Sequence, residues 1–312
     1  MNADAGRTMN AWVKHGPQTD GIDLVRVPVP GIDDRELLVK IEAVGVGVHH
    51  GYFFPQDITY PFPIGIEAAG VVETAGSTVT GYHPGDRIAF VSSLQPKGGT
   101  WAEFAVVASD SLILRIPDGL GFATAAAVPV AGNTILRAMQ PLTIAADGWL
   151  FVAGGSGAIG TLAIQLARRR GWQVAASASR QNHEYMMSLG ATVVVDYHDA
   201  DWPEQLLRRI PSGVDAAIAI QPGTGVESLG VVRDGGHVIT ISGDQPASRR
   251  GIRVQPVPFP GDVRDQLQEL LDDIARGDVQ LVIEEVHSFE NGDAALRKVQ
   301  TRHARGKTVL TL

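Results

Sequence analysis

The residues best suited to do chemistry are Gly154-Gly155-Ser156-Gly157-Ala158-Ile159-Gly160. Glycines at 154, 157 and 160 give a variant of the dinucleotide-binding fingerprint. The apolar run Trp149 to Ala153 precedes them and reads as a strand. From Ala158 onward, Ile159, Leu162, Ala163, Leu166 and Ala167 recur on one helical face. Glycine at such a strand–turn–helix junction permits a tight turn and lets the backbone approach a pyrophosphate. The helix then meets the anion with free N–H groups and the positive end of its dipole. The expected cradle is Gly154, Ser156, Gly157, Ala158, Ile159 and Gly160.

The end of the next strand decides which nucleotide. An NAD site places Asp or Glu there to bind the ribose 2′-hydroxyl. Here the stretch reads Ala176-Ser177-Ala178-Ser179-Arg180, with no carboxylate before Glu184. Ser179 and Arg180 can hydrogen-bond and charge-pair with a 2′-phosphate, which an acid would repel. NADPH is therefore expected over NADH. The plainer reading of Arg180 is a solvent-exposed helix start.

These residues need a frame that alternates strands and helices, and the pattern supplies one. After strand 149–153 and its helix, Arg168 to Arg170 fall in the last turn and Gly171 follows as a C-cap. Strands are expected at Gln173 to Ser177, Val193 to Val195, Val214 to Ile220 and His237 to Ser242. Helices are expected over 181–189, 202–210 and 224–233. Alternation of this kind implies a parallel sheet with helices on both faces. Ser242, closing the last strand, is counted with the cofactor-binding residues.

The flanking segments differ in character. The first ~115 residues are rich in Gly and Pro and read as strands joined by turns, as in a small β-barrel. Leu38 to Val44 alternates, with Val39, Ile41 and Ala43 on one face and Lys40 and Glu42 on the other. Further strands are expected at Trp101 to Val107 and Leu112 to Leu114. Phe122 to Met139 is Ala-rich and reads as helices broken at Pro129 and Gly132. A helix over Val263 to Ala275 and strands at Val279 to Val286 and Thr308 to Leu312 return to the β-rich part. With 312 residues, more than one core is expected. The expected division is 1–120, 121–262 and 263–312, the middle segment inserted into a domain formed by the other two.

Composition narrows the partners. Hydrophobic residues make up 44% and charged residues 19%, a globular balance. With 26 Lys+Arg against 34 Asp+Glu, the net charge of −8 disfavours nucleic acid and anionic lipid. The basic clusters at 168–170 and 249–250 lack interleaved aromatics. Cysteine is absent, which excludes disulfides and thiolate metal sites. Met1 to Thr8 lacks the apolar core of a signal peptide, and no apolar run could span a bilayer. Cytoplasmic location is expected.

Several motifs in order carry a family resemblance. They are Pro61-Phe62-Pro63-Ile64-Gly65-Ile66-Glu67-Ala68-Ala69-Gly70-Val71-Val72, continuing to Gly85-Asp86-Arg87-Ile88, then Gly99-Thr100-Trp101-Ala102-Glu103-Phe104, Pro129-Val130-Ala131-Gly132-Asn133-Thr134, and His303-Ala304-Arg305-Gly306-Lys307-Thr308-Val309-Leu310. In these the chain resembles the medium-chain dehydrogenase/reductase superfamily, within it the zinc-free quinone oxidoreductase branch. The resemblance implies an α/β fold in which a doubly wound Rossmann sheet is inserted into a GroES-like β-barrel domain.

It also implies hydride transfer from NADPH to a quinone or enone. Thr134 would lie near the nicotinamide carboxamide, Tyr197 near the adenosine phosphate and Tyr52 against the acceptor. His49 aligns with a proton-relaying hydroxyl residue and is a candidate donor. The positions that ligate zinc in zinc-dependent members are Gly47, Ile66 and Val130 here, and Glu67 remains beside them. His49 and His50, adjacent on an extended segment, would point to opposite faces and could not chelate one ion together. Gly47 also stands where the family keeps a cleft Asn, which puts the usual quinone substrates in question. A homodimer is implied, through Rossmann sheet edges at His237 to Ser242 or Ile252 to Val257. The alternatives are a non-catalytic NADPH-binding redox regulator and an alcohol dehydrogenase with an unusual metal site.

Overall fold

The structure, a computed structural model, describes residues 6–17, 21–48, 54–55, 58–92, 94–259 and 261–312. It divides into two compact units. The first comprises 1–130, 264–278 and 283–312; the second comprises 131–263 and 279–282.

The first unit opens with β1 (Thr8–Lys14), β2 (Asp23–Pro28), β3 (Glu36–Val46), β4 (Phe62–Pro63), β5 (Glu67–Ala75), β6 (Arg87–Val91), β7 (Phe104–Ala108) and β8 (Ile113–Arg115). Helix α1 (Phe122–Ala126) follows, and α2 (Pro129–Met139) begins here with Pro129 and Val130 and continues as part of the second unit. Among the described residues β2-β1-β4 form a small sheet, and a larger one has the order β15 (Ile283–Ser288), β16 (Lys307–Thr311), β3, β5, β6, β8, its first two strands coming from the tail. Strand β3 organises it. Its residues 37–44 pair with β5, 36–40 pair with β7, and 43–46 pair with the last strand of the chain. The expected alternation holds in its middle, where Val39 and Ile41 are buried and Lys40 is exposed. Toward its ends both faces are covered. Gly70 lies inside β5, where a Cβ would come within 2.1 Å of the Lys40 carbonyl oxygen. Close strand approach, not a turn, needs that glycine.

The second unit holds β9 (Trp149–Ala153), α3 (Ala158–Arg169), β10 (Gln173–Ser177), α4 (His183–Ser188), β11 (Val193–Val195), α5 (Trp202–Arg209), β12 (Val214–Ala219), α6 (Thr224–Ser228), β13 (Val232–Thr240) and β14 (Arg253–Pro256). Its sheet runs β11-β10-β9-β12-β13-β14, and every neighbouring pair is parallel. That is the Rossmann strand order, with its switch point between β9 and β12. Trp202 and Leu206, one turn apart on α5, plug the core, and Trp202 stacks on Phe151 with ring centroids 5.4 Å apart.

The chain then returns to the first unit with α7 (Arg264–Arg276), β15 (Ile283–Ser288), α8 (Gly292–Gln300) and β16 (Lys307–Thr311). The Trp12 indole N–H donates to the Phe289 carbonyl over 2.7 Å and covers Gly292, tying β1 to this tail.

Several expectations need correction. The division falls at 130/131, not 120/121, because α1 packs on β3 and β5 of the first unit. Val279–Val282 stay with the second unit, where Gln280 and Gln165 exchange two hydrogen bonds of 2.8 and 2.9 Å. Gly132 does not break α2, whereas Pro129 starts it, as a residue without an N–H can. The helix expected over 224–233 ends at Ser228, and β13 begins at the β-branched Val232. His237 to Ser242 is therefore no sheet edge, since β13 is flanked by β12 and β14; on that side the edge is β14, and β11 is the other edge. Trp101 lies outside β7 because its backbone N–H donates to Ile64 instead.

Candidate functional site at the carboxyl edge of the parallel sheet

Parallel registry brings the ends of the six strands into one line. Val195, Ser177, Ala153, Ala219, Thr240 and Pro256 are successive partners across the sheet. The loops leaving this line carry nearly all of the expected cofactor residues: 154–160 after β9, Ser179 and Arg180 after β10, Tyr197 after β11 and Ser242 after β13. Thr134 stands apart from them, half-buried on α2. His49 and Tyr52 lie outside the described residues, as does His50.

The turn after β9 is fixed from three sides. Gly154 has φ +94°, which favours glycine, and its N–H donates to the Ser177 hydroxyl at 3.3 Å. The Gly155 N–H donates to the Ser177 carbonyl at 2.9 Å. Gly157 then caps α3 in extended conformation, with no side chain capping the helix. The first-turn N–H groups have no partner within the helix, and Ser156, Ala158 and Ile159 are only half-buried.

The glycines do different work. A Cβ on Gly160 would lie 2.3 Å from the Gly154 carbonyl oxygen, so the fold itself requires that glycine. A Cβ on Gly157 would meet nothing nearer than 4.0 Å. Nothing in the protein around Gly157 demands glycine. A bare backbone there fits a ligand that must come close, as a pyrophosphate does. At the same sheet edge the Ser242 hydroxyl oxygen is buried and has no hydrogen-bond partner among the described residues. A buried hydroxyl of this kind calls for a partner that the chain does not supply. On both counts the residues fit a bound dinucleotide.

The loops after β10 and β11 are tied through Asp196. One of its carboxylate oxygens accepts the Arg180 backbone N–H at 3.1 Å. The other accepts the His198 backbone N–H at 3.0 Å and lies 2.8 Å from His198 Nδ1. Burial pushes the Asp196 carboxyl up, but the hydrogen bonds from His198 and Arg180 outweigh it and hold the group below its ordinary value. The exposed Arg180 guanidinium donates to Asp199 at 3.1 Å. Tyr197 stacks on His198, ring centroids 4.1 Å apart. Sequence reasoning named Arg180 and Tyr197 as candidates but did not anticipate the hydrogen bonds that Ser177, Asp196, His198 and Asp199 make around them. Polar residues just past each strand end were the available signal.

Gly47, Ile66 and Val130 carry no donor atom, so the residues at these positions do not fit zinc. Among the described residues no cluster of three His, Cys, Asp or Glu is placed to hold a metal ion. Glu67, fully buried, instead accepts the Val130 backbone N–H at 2.8 Å and pairs with Lys307.

Comparison with known proteins agrees with this architecture. Residues 33–118 match the family model of the alcohol dehydrogenase GroES-like domain, and 189–310 match a zinc-binding dehydrogenase model. The chain is 30% identical to the NADPH-dependent alkenal/one oxidoreductase of Arabidopsis thaliana, over 99% of this chain and 82% of the relative. It is 29% identical to the chloroplast envelope quinone oxidoreductase homolog of the same plant, covering 98% and 99%. The Escherichia coli quinone oxidoreductase complexed with NADPH superposes with a TM-score of 0.83 at 22% identity, covering 98% and 100%. The chain belongs to the medium-chain dehydrogenase/reductase superfamily, in its quinone oxidoreductase-like branch.

Proposed function

We propose that the chain is a zinc-independent, NADPH-dependent oxidoreductase that reduces a quinone or the activated C=C bond of an enone. The observation that carries this reading is the open backbone at Gly157, opposite the packed backbone at Gly160, at the switch point of a parallel sheet. Relatives named for NADPH-dependent reduction of alkenals and enones and for quinone reduction support the acceptor class. When bound, the nicotinamide supplies the hydride.

The chain's own residues hold and orient. Gly154, Ser156, Gly157, Ala158, Ile159 and Gly160 take the diphosphate. Ser179, Arg180 and Tyr197 take the adenosine phosphate end, while Ser242 and Thr134 take the nicotinamide side. His49 and Tyr52, outside the described residues, are assigned to the acceptor, with His49 as proton donor. The donor-free side chains of Gly47, Ile66 and Val130 support chemistry without zinc.

Two further parts belong to the same reading. The edge strand β14 is the surface on which a homodimer would form, because pairing it covers an open row of backbone groups. The working compartment is the cytoplasm, and cell fractionation tests that; no helix among the described residues is long and apolar enough to cross a membrane. The functional test is NADPH oxidation by the purified chain over quinones, enones and aldehydes, with metal analysis alongside. Turnover of quinones or enones without bound zinc supports the proposal. Turnover only of aldehydes, or only after adding zinc, rejects it.

A further inference from the structure

The charges around the adenosine end do not yet suit a phosphate. Arg180 is the expected cation, yet it is engaged: its guanidinium donates to Asp199 at 3.1 Å and lies 3.8 Å from Asp196. One guanidinium thus faces two carboxylates, and a 2′-phosphate bearing nearly two charges would enter a patch that is already negative. The neighbouring segments also carry His183, whose Nε2 lies 3.1 Å from the Ala178 carbonyl, and Asp201, which pairs with Arg208 at 3.5 Å. His183 spends its Nε2 on the chain itself, and Asp201 and Arg208 cancel, whereas His198 keeps one ring nitrogen clear of the chain. Asp196 fixes its ring through Nδ1 at 2.8 Å, its side chain is 60% exposed, and Tyr197 packs against it. With Nδ1 directed to Asp196, Nε2 is the nitrogen left to meet a ligand.

We propose that His198 is a further residue reading the 2′-phosphate, and that its protonation sets the preference for NADPH over NADH. The inference rests on the assignment of NADPH as cofactor. Protonated, the ring keeps Nδ1 on Asp196 and offers its Nε2–H as a donor. The added charge brings the patch to neutrality and lets Arg180 turn from Asp199 to the phosphate. The phosphate's own titration works in the opposite sense, since it loses charge as pH falls toward about 6. A preference that strengthens on acidification therefore reports the protein.

The test is fluorescence titration of the intact chain with NADPH and with NADH at about pH 8 and about pH 6, the range over which histidine changes charge. For the wild type the ratio of the two dissociation constants should rise in favour of NADPH by roughly fivefold or more on acidification. That is the factor one charge pair at contact supplies in water. In His198→Gln the ratio should be low and should not rise on acidification, and in His198→Arg it should exceed that of His198→Gln at both pH values. A wild-type ratio that does not move, or one that moves equally in His198→Gln, overturns the role of His198 while leaving NADPH as cofactor. If NADPH is not preferred by the wild type or by His198→Arg at either pH, the cofactor assignment fails and the role of His198 falls with it.

Discussion

Lys307 and Glu67 form an ion pair closed off from water, with side chains 6% and 0% exposed. They lie far apart in the chain, Glu67 at the start of β5 and Lys307 at the start of β16, and the second Glu67 oxygen accepts the Val130 N–H at 2.8 Å. The pair thus joins the tail of the chain to the N-terminal end of α2. The space is tight, since a Cβ on Gly45 would come within 2.7 Å of the Glu67 carboxylate. Removing one member of a buried pair strands the other charge and costs about 3–5 kcal/mol. Lys307→Met should lower the stability measured by urea denaturation by that amount. A loss under about 1 kcal/mol, the size of a surface pair, would show that the pair contributes little.

Gly157→Ala and Gly160→Ala should separate folding from binding. A methyl on Gly157 meets no atom nearer than 4.0 Å, so this variant should melt near the wild type, losing no more than about 1 kcal/mol as an N-cap change. Its NADPH affinity should fall at least tenfold, because the methyl fills the approach to the diphosphate. A methyl on Gly160 lies 2.3 Å from the Gly154 carbonyl oxygen and should lower the melting temperature itself. Thermal melts with and without NADPH check both. Unchanged affinity in Gly157→Ala would mean that no ligand comes close there.

Arg180→Glu should raise the KM for NADPH by roughly tenfold or more, the effect of placing a like charge beside a phosphate. The KM for NADH should change little. Because the side chain is 75% exposed, stability should hardly move. Equal changes for both cofactors in steady-state assays would remove Arg180 from the 2′-phosphate.

Asp196 should contribute to resistance against acid. Its carboxyl titrates below the ordinary 3.8 in the folded chain, so the stabilisation it gives is present above that value and is lost as pH falls through the lower folded one. Asp196→Asn should be less stable than the wild type near neutrality. The gap should close as pH drops below the ordinary carboxylate range, as read from denaturation midpoints. A gap independent of pH would indicate lost packing rather than lost charge.

The second unit was more legible in the sequence than the first. Trp149–Ala153, Gln173–Ser177 and Val193–Val195 read as strands with correct ends; the first is an apolar run between Gly148 and Gly154, and the last lies between Thr192 and Asp196. In the first unit the strands are set by long-range pairing. Trp101 leaves its apolar run to bond with Ile64, and the partners of β3 come from three distant segments. Helix α8 escaped notice because Asn291-Gly292-Asp293 reads as a turn, while Gly292 is held in place by Trp12. The glycine-rich turn between β9 and α3 was legible because its spacing is local. The carboxylates that engage Arg180 were not, because Asp196 and Asp199 approach it only once β10 and β11 pair.

The central claim is that the turn at 154–160 grips the diphosphate of NADPH. A crystal structure of the chain grown with saturating NADPH tests it most directly. Diphosphate density is expected against the backbone N–H groups at the start of α3, with the adenosine phosphate within hydrogen-bond reach of Arg180. A turn that stays empty at saturating NADPH, or nucleotide bound elsewhere on the chain, would contradict it.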